Sequence, residues 1–278
     1  MLIKCGNYNL DLGKRTHIMG ILNVTPDSFS DGGKFLEPGK AVKQALQMVE
    51  DGADIIDIGA ESSRPGAQAI DVEEELERLL PILRLLVKKL PVPVSVDTYK
   101  YPVAQAVLDL GVQIINDITG LRSDPPMADL IARYDAGLVL MHMLGTPQNM
   151  QDNPHYAALM PGLIDFFKVQ IDYALDRGIS AAKIIIDPGI GFGKTIRHNL
   201  QIIKHLDRLK IFEKPILLGA SRKSFIGKIL NLPVDQREEG TAATVTYGIL
   251  QGANIVRVHD VKAMSRVVRM TDAIMSVD

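Results

Sequence analysis

Polar side chains that could bind a ligand or carry protons recur at regular intervals along this chain. They stand at the ends of short apolar runs, and in chain order they are Asn23, Asp57, Glu61, Asp97, Asn116, Asp117, His142, Asp187, Ser221, Arg222, Lys223, Arg257 and His259. A single Asp or Asn in such a place is as readily a helix N-cap as a ligand. The whole series instead indicates one binding site, because the loops of α/β proteins converge at the carboxyl ends of parallel strands.

Carboxylates at two of these ends admit two kinds of chemistry. Asp97 and Asp187 end two separate runs, and Asn116 ends another. Paired carboxylates are typical of glycosidases and of acid–base catalysis in general. A carboxylate also accepts two parallel hydrogen bonds from an N–C–N edge, such as that of an aminopyrimidine ring. The spacing alone does not decide between catalysis and recognition.

Three cations near the ends of runs predict an anion site. Arg64 lies in the segment 61–66, Lys223 follows Ser221, and Arg257 stands inside the apolar run Ile255–Val258. An Arg fork binds phosphate through two hydrogen bonds, and a charge within an apolar run needs a partner. The loops after the seventh and eighth strands are also a frequent phosphate position in barrels. The pattern therefore favours an anionic ligand.

The segment 188–195, with the sequence PGIGFGKT, matches neither of two nucleotide-binding patterns. Pro188 stands where the phosphate-binding P-loop requires glycine, and Lys194 stands where the dinucleotide fingerprint requires its third glycine. What remains is a glycine loop after a strand. It serves either as a tight turn or as a place where the backbone approaches a flat ligand.

Strands and helices must position these residues. The apolar runs are rich in Ile and Val and do not alternate with polar residues, which predicts buried parallel strands; they cover residues 17–24, 54–60, 92–97, 112–117, 137–142, 183–187, 215–219 and 254–258. Helical spacing lies between them, as in Leu159, Leu163 and Phe167, and Pro81 predicts a kink or a break in one helix. Eight such units predict a single (β/α)₈ TIM barrel over residues 1–278, with a doubly wound open sheet as the alternative.

Composition excludes several classes of protein. With 31 Lys and Arg against 33 Asp and Glu, the 278-residue chain lacks the broad basic field that nucleic acid or an anionic membrane would require. Its single cysteine, Cys5, allows no intrachain disulfide and is expected to be a small buried apolar residue. We expect a cytoplasmic protein, since neither a signal peptide nor a membrane span is evident. The six histidines form no zinc motif, whereas Mg²⁺ held mainly by substrate phosphates would leave little trace.

Motifs along nearly the whole chain resemble those of the bacterial dihydropteroate synthase family. They are GILNVTPDSFSDGG at 20–33, DIGAESSRPG at 57–66, VDT at 96–98, ND at 116–117, DPGIGFGK at 187–194, SRK at 221–223 and RVHD at 257–260. The resemblance implies a (β/α)₈ barrel that condenses 6-hydroxymethyl-7,8-dihydropterin diphosphate with p-aminobenzoate, giving 7,8-dihydropteroate and diphosphate in folate biosynthesis. It also implies Mg²⁺ as cofactor and a homodimer formed through barrel helices.

The resemblance implies a role for each motif residue. Pterin recognition falls to Asp97, Asn116, Asp187 and Lys223; diphosphate binding to Arg64, Arg257 and His259; the p-aminobenzoate pocket to Phe29, Ser63, Pro65, Phe192 and Ser224; the Mg²⁺ contact to Asn23; and catalysis to Lys223, Arg257, His259 and Asp31. The carboxylates then serve recognition, and replacing Arg257 should affect turnover more than pterin binding. Ser63 replaces a threonine common in the family, which leaves sensitivity to sulfonamides, the family's inhibitors, open.

Two other functions fit a similar pocket. A pterin-binding methyltransferase barrel would lack the loop at 28–33 and would use a corrinoid partner. A binding module would keep the pocket without turnover. The anion site formed by Arg64, Arg257 and His259 favours the synthase, because such a site has a purpose when diphosphate leaves.

Overall fold

In a computed structural model, which describes residues 2–6, 8–25 and 38–277, parallel strands alternate with helices around a barrel. The strands are β1 (Leu2–Cys5), β2 (Tyr8–Asp11), β3 (His17–Asn23), β4 (Ile55–Gly59), β5 (Val94–Asp97), β6 (Ile114–Asp117), β7 (Gly137–Met141), β8 (Ile184–Asp187), β9 (Leu217–Leu218) and β10 (Ile255–Val258). The helices are α1 (Pro38–Glu50), α2 (Val72–Lys89), α3 (Tyr101–Asp109), α4 (Met127–Arg133), α5 (Leu159–Asp176), α6 (Ile196–Lys204), α7 (Ser224–Leu230), α8 (Glu238–Leu250) and α9 (Val261–Met275). No helix of these described segments is both long and apolar enough to cross a membrane.

Strands β3 to β10 close into the predicted barrel. Their order in the sheet is β8-β7-β6-β5-β4-β3-β10-β9, and all neighbouring pairs are parallel. A bridge between Ile186 and Ile216 joins the two ends of this sheet beside the short strand β9. The prediction of a closed (β/α)₈ barrel is therefore confirmed, and the open doubly wound sheet is wrong. Closure brings all eight carboxyl ends to one rim.

The helices cover the outside of the barrel with their apolar faces. In α5 the buried residues Leu163, Phe167 and Ile171 recur at four-residue steps, as their spacing predicted. Helix α2 begins at its N-cap Asp71 and runs through Pro81 without a break, so the prediction of a split helix is wrong. Pro81 lies on the exposed side of α2, where solvent can satisfy the carbonyl group that loses its N–H donor.

A two-stranded hairpin closes the amino-terminal end of the barrel. Strands β1 and β2 pair antiparallel, and their inward residues join the first inward layer of the barrel. The apolar cluster so formed consists of Ile3, Cys5, Leu10, Leu12, Met19, Ile55, Ile114, Val139, Ile185, Leu217 and Ile255. Cys5 is fully buried, as expected, and burial raises its pKa to about 11. The sequence analysis missed this hairpin, although alternating apolar residues around the pair at positions 6 and 7 indicate one.

Candidate active site

Four polar side chains from four strands form one network inside the carboxyl end of the barrel. Asp57 of β4 is fully buried, and its Oδ2 accepts hydrogen bonds from Arg257 Nε at 2.6 Å and from Asn116 Nδ2 at 3.1 Å. The Arg257 Nη2 atom donates to Asp97 Oδ2 at 3.2 Å. Arg257 therefore lies between two carboxylates, which supply the partner that a charge inside an apolar strand requires.

Asp57, for which the sequence predicted no role, is the centre of this network. Its position within an otherwise apolar strand was the available signal, since a buried carboxylate needs compensating donors. Its second oxygen, Oδ1, is buried without a hydrogen-bond partner, and so is Ser95 Oγ, its neighbour in register on β5. Asp57 thus holds Arg257 and Asn116 in place from beneath the cavity.

Asp187 and Arg257 lie on either side of Gly219 at the carboxyl end of the barrel. A Cβ atom built on Gly219 would lie 3.7 Å from Asp187 Oδ2 and 3.9 Å from Arg257 Cβ. The Asp187 Oδ1 atom accepts the Gly189 N–H at 2.7 Å, which leaves Oδ2 toward the gap. Burial raises the pKa of Asp187, against the lowering effects of the Gly189 N–H and of Lys223. The two residues therefore lie close together at the rim.

Asn23 and Asp97 flank a second gap on the opposite part of the rim. The register of β3, β4 and β5 places Asn23 beside Gly59 and Gly59 beside Asp97. A Cβ atom at Gly59 would lie 3.9 Å from both Asn23 Oδ1 and Asp97 Oδ2. Burial raises the pKa of Asp97 to about 7, although Arg257 acts in the other direction. The absence of a side chain at Gly59 keeps this part of the rim open for a ligand.

Lys223 and Phe192 form the wall of the cavity next to Asp187. The Lys223 Nζ atom lies 4.1 Å from the centroid of the Phe192 ring, within the range of a cation–π interaction. A Cβ atom at Gly191 would lie 3.2 Å from Lys223 Cδ, so the glycine lets this side chain pass. Burial, followed by Arg257, lowers the pKa of Lys223 to about 8. The glycine loop therefore contributes an aromatic face to the site.

His259 is held as a neutral ring at the same rim. Ser221 Oγ accepts the His259 backbone N–H at 3.2 Å and lies 3.0 Å from His259 Nδ1. The hydroxyl can donate to Nδ1 or accept from it, and in the tautomer in which it donates, the ring proton lies on Nε2. Burial, with Arg257 and Arg222 adding to it, lowers the pKa of His259 to about 3. Its ring can donate one hydrogen bond to an anion without carrying charge.

Arg222 links the loops that carry Lys223 and His259. Its backbone adopts a left-handed conformation with φ of 56°, which costs energy for a residue with a side chain. Its Nε donates to Asp260 Oδ2 at 2.9 Å, and Nη2 donates to the other carboxylate oxygen. This contact joins the loop after β9 to the start of α9.

Four other residues predicted for the site lie in the loop after β4 and at the start of α7. Arg64, Pro65 and Ser224 are exposed and Ser63 is partly buried, while Phe29 and Asp31 lie outside the described residues. Arg64 and Pro65 belong to the loop after β4. This loop contacts the loop after β7, because the Gly66 N–H donates to the Pro147 carbonyl oxygen at 3.0 Å. The structure therefore brings Asp97, Asn116, Asp187, Lys223, Arg257, His259 and Phe192 together at the carboxyl end of the barrel. Asn23 lies beside Gly59 at the end of β3.

The fold and this cavity define an enzyme that binds a flat heterocycle and an anion at the carboxyl ends of a (β/α)₈ barrel. A family model described as "Pterin binding enzyme" matches residues 19–259. The dihydropteroate synthase of Clostridium beijerinckii is 48% identical over 98% of this chain and 99% of its own. The Yersinia pestis dihydropteroate synthase, solved with a sulfonamide drug, superposes with a TM-score of 0.94 at 42% identity, covering 100% of both chains.

A third relative was solved with a reaction product. The dihydropteroate synthase of Xanthomonas albilineans in complex with 7,8-dihydropteroate superposes with a TM-score of 0.90 at 37% identity, covering 100% of both chains. The chain thus belongs to the pterin-binding enzyme family and, within it, to the dihydropteroate synthases, which are transferases of folate synthesis.

Proposed function

We propose that the chain joins 6-hydroxymethyl-7,8-dihydropterin diphosphate to p-aminobenzoate, releasing diphosphate and 7,8-dihydropteroate. The observation that carries this proposal is the approach of Asp187 and Arg257 from either side of Gly219. The Asp187 carboxylate suits the N–H edge of a pterin, and the Arg257 guanidinium suits a departing anion. A related synthase solved with 7,8-dihydropteroate supports the same assignment.

Recognition of the pterin rests on groups fixed before the ligand arrives. Asp187 is oriented by the Gly189 N–H, so its free oxygen can accept from the amino and ring N–H edge of the pterin. Asp97 and Asn116 hold neighbouring ring positions, and Lys223 donates to the acceptor side of the ring. Each hydrogen bond to a charged group contributes about 1.5–3 kcal/mol. The carboxylates therefore act in recognition, not as an acid–base pair.

The diphosphate leaves from the side of the cavity where Arg257 and His259 lie. Arg257 is a guanidinium held between Asp57 and Asp97, so it stabilises negative charge without changing its place. His259 adds one N–H donor from its neutral ring. Arg64, exposed on the loop after β4, is available to close over the anion.

Mg²⁺ fits this arrangement as an ion shared with the substrate. Asn23 offers one amide oxygen at the rim, and Mg²⁺ in such sites takes only one or two protein oxygens besides phosphates and water. Among the described residues no cluster of three His, Cys, Asp or Glu side chains could hold a metal alone. Asn23 would therefore hold the ion together with the diphosphate, and the ion would neutralise charge on the leaving group.

The reaction needs positioning more than it needs a base. The C–O bond to diphosphate breaks, the electron-rich pterin delocalises the resulting cation, and the aniline nitrogen bonds to the methylene carbon and then loses its proton. Holding that nitrogen at roughly 3–3.5 Å from the carbon supplies much of the rate. Phe192, Ser63, Pro65, Ser224 and Phe29 are assigned to the p-aminobenzoate pocket. A shielding role for Asp31 stays a prediction, because it lies outside the described residues.

Release of diphosphate is the decisive measurement. Purified protein with Mg²⁺ and both substrates should release diphosphate and form dihydropteroate in equal amounts, and a sulfonamide should compete with p-aminobenzoate. Binding of the pterin without diphosphate release would instead identify a binding module. Transfer of a methyl group from a folate donor would identify the methyltransferase alternative.

The proposal includes a homodimer in the cytoplasm. Five large apolar side chains are exposed on the adjoining helices α8 and α9, namely Tyr247, Leu250, Met270, Ile274 and Met275. Solvated apolar patches of this kind are typical of subunit interfaces. Sedimentation velocity should give a dimer for the native chain and a monomer for Met270→Glu/Ile274→Glu. A lone buried thiol agrees with a reducing compartment.

A further inference from the structure

Lys194 is a buried ammonium that the proposed mechanism does not use. Its side chain follows the glycine loop, and the residue is 2% exposed. The Nζ atom has three acceptors: the Phe192 carbonyl oxygen at 2.9 Å, the His142 carbonyl oxygen at 3.2 Å and the His142 ring Nδ1 at 3.1 Å. These three bonds use all three protons of an ammonium group.

The three acceptors are neutral, which makes the charge costly. Burial lowers the pKa of Lys194 to about 7, and Asp187 alone among the neighbouring charges opposes this shift. The His142 ring must offer a lone pair at Nδ1, and burial together with Lys194 and Arg122 lowers its pKa and keeps it uncharged. A methionine would fill the same space without this cost, since apolar groups replace buried charges at little loss of stability. The charge therefore has a use other than stability.

The bonds of Lys194 hold the glycine loop against the end of β7. Gly189 has a φ of 68°, and a Cβ atom there would overlap the His142 carbonyl oxygen, so the two backbones lie in contact. The carbonyl groups on either side of Phe192 are also fixed, that of Gly191 by Gln151 Nε2 at 2.7 Å and that of Gly193 by the Tyr156 hydroxyl at 3.0 Å. Lys194 holds the central carbonyl, that of the residue whose ring forms the wall of the cavity.

We propose that Lys194 is a positioning residue that fixes the Phe192 ring beside Lys223 and so shapes the p-aminobenzoate pocket. This inference rests on the proposed function, which places Phe192 in that pocket. Lys194 acts through the loop backbone and does not touch either substrate. Two of the pterin groups, Asp97 on β5 and Asn116 on β6, are independent of this loop. The other two meet it at its ends, since Asp187 accepts the Gly189 N–H and Lys223 lies over the Phe192 ring. Loss of the ammonium should therefore affect p-aminobenzoate, which the Phe192 ring itself contacts, more than the pterin.

The experiment compares Lys194→Met with the native enzyme in the diphosphate-release assay. We expect the KM for p-aminobenzoate to rise about tenfold, equivalent to ~1.4 kcal/mol, while the pterin Kd from calorimetry changes less than about threefold. Tyr156→Phe is the matched control, because it frees the neighbouring carbonyl and leaves Lys194 in place; its KM should stay within about threefold of native. Lys194→Gln, which keeps two N–H donors, should lie between native and Lys194→Met, and it replaces Lys194→Met if that variant does not fold.

A double variant decides whether Lys194 acts through Phe192. Phe192→Leu/Lys194→Met should have the same KM for p-aminobenzoate as Phe192→Leu alone, because the second change then has no ring to misplace. The proposal would be overturned if the two substitutions raised the KM for p-aminobenzoate by independent factors that multiply in the double variant. A lowered Tm with an unchanged KM in Lys194→Met would also overturn it, as would an equal loss of affinity for both substrates. A native enzyme without diphosphate release would instead refute the proposed function, so the two failures are distinguishable.

Discussion

Arg257→Met removes the one cation between two carboxylates, and its effect can be estimated from the structure. The Arg257, Asp57 and Asp97 side chains are 19%, 0% and 14% exposed, and the two ion pairs measure 2.6 and 3.2 Å. Removing one partner of a buried ion pair costs roughly 3–5 kcal/mol, because the remaining charge stays buried. In a chain of this length each kcal/mol of lost stability lowers Tm by about 2–4 °C, so Tm should fall by roughly 6–20 °C.

The same change should weaken pterin binding. Without Arg257, Asp97 loses the charge that lowers its pKa, so it keeps a proton more readily and no longer accepts from the pterin with full charge. The geometry thus alters the expectation that Arg257 variants affect turnover far more than pterin binding, since turnover and affinity should now fall together.

Thermal unfolding, calorimetry with the pterin and diphosphate release test this reasoning on one preparation. The companion variant Arg257→Met/Asp57→Asn neutralises the buried charge left behind and should recover more than half of the lost Tm, without recovering turnover. An unchanged Tm and pterin Kd in Arg257→Met would refute the idea that Arg257 stabilises the pterin carboxylates.

Three further outcomes are expected. Asp187→Asn should weaken pterin binding by about 2 kcal/mol or more in calorimetry, because a charged contact becomes neutral; unchanged binding would contradict its role. Pterin affinity should peak between about pH 7 and 8: Asp97, with its pKa raised to about 7, gains a proton below this range, and Lys223, with its pKa lowered to about 8, loses one above it. Asp97→Asn should move the acidic limb to lower pH, where Asp187 gains a proton, and leave the alkaline limb in place, as binding titrations across pH would reveal. Gly189→Ala should lower Tm or prevent folding, because its Cβ would overlap the His142 carbonyl, and a native-like melting curve would count against that packing.

The barrel could be predicted from the sequence because buried parallel strands are apolar on both faces. Each of the eight predicted runs contains one barrel strand, and polar residues follow where the strands end. The same regularity grouped Asp187 with Arg257, because all carboxyl ends of a barrel meet at one rim. The sequence pattern was sufficient to predict a residue's place wherever its position along a strand determined its position in the barrel.

Side-chain pairing could not be predicted in the same way. Asn116 donates to Asp57 across 59 positions, and Arg257 reaches the same oxygen across 200. Such contacts depend on strand register and on closure of the sheet, and neither leaves a periodic signal in one sequence. The acceptors of Lys194 were likewise hidden, because two of the three are backbone carbonyls.

The hairpin formed by β1 and β2 has a consequence for substrate traffic. Because Ile3 and Leu10 pack with inward residues of the barrel strands, the amino-terminal end of the barrel is filled and the ligands must approach from the carboxyl ends of the strands. Both reactants enter, and both products depart, past the same rim. A bulky inhibitor lodged there would obstruct arrival and departure alike, without reaching the depth of the cavity.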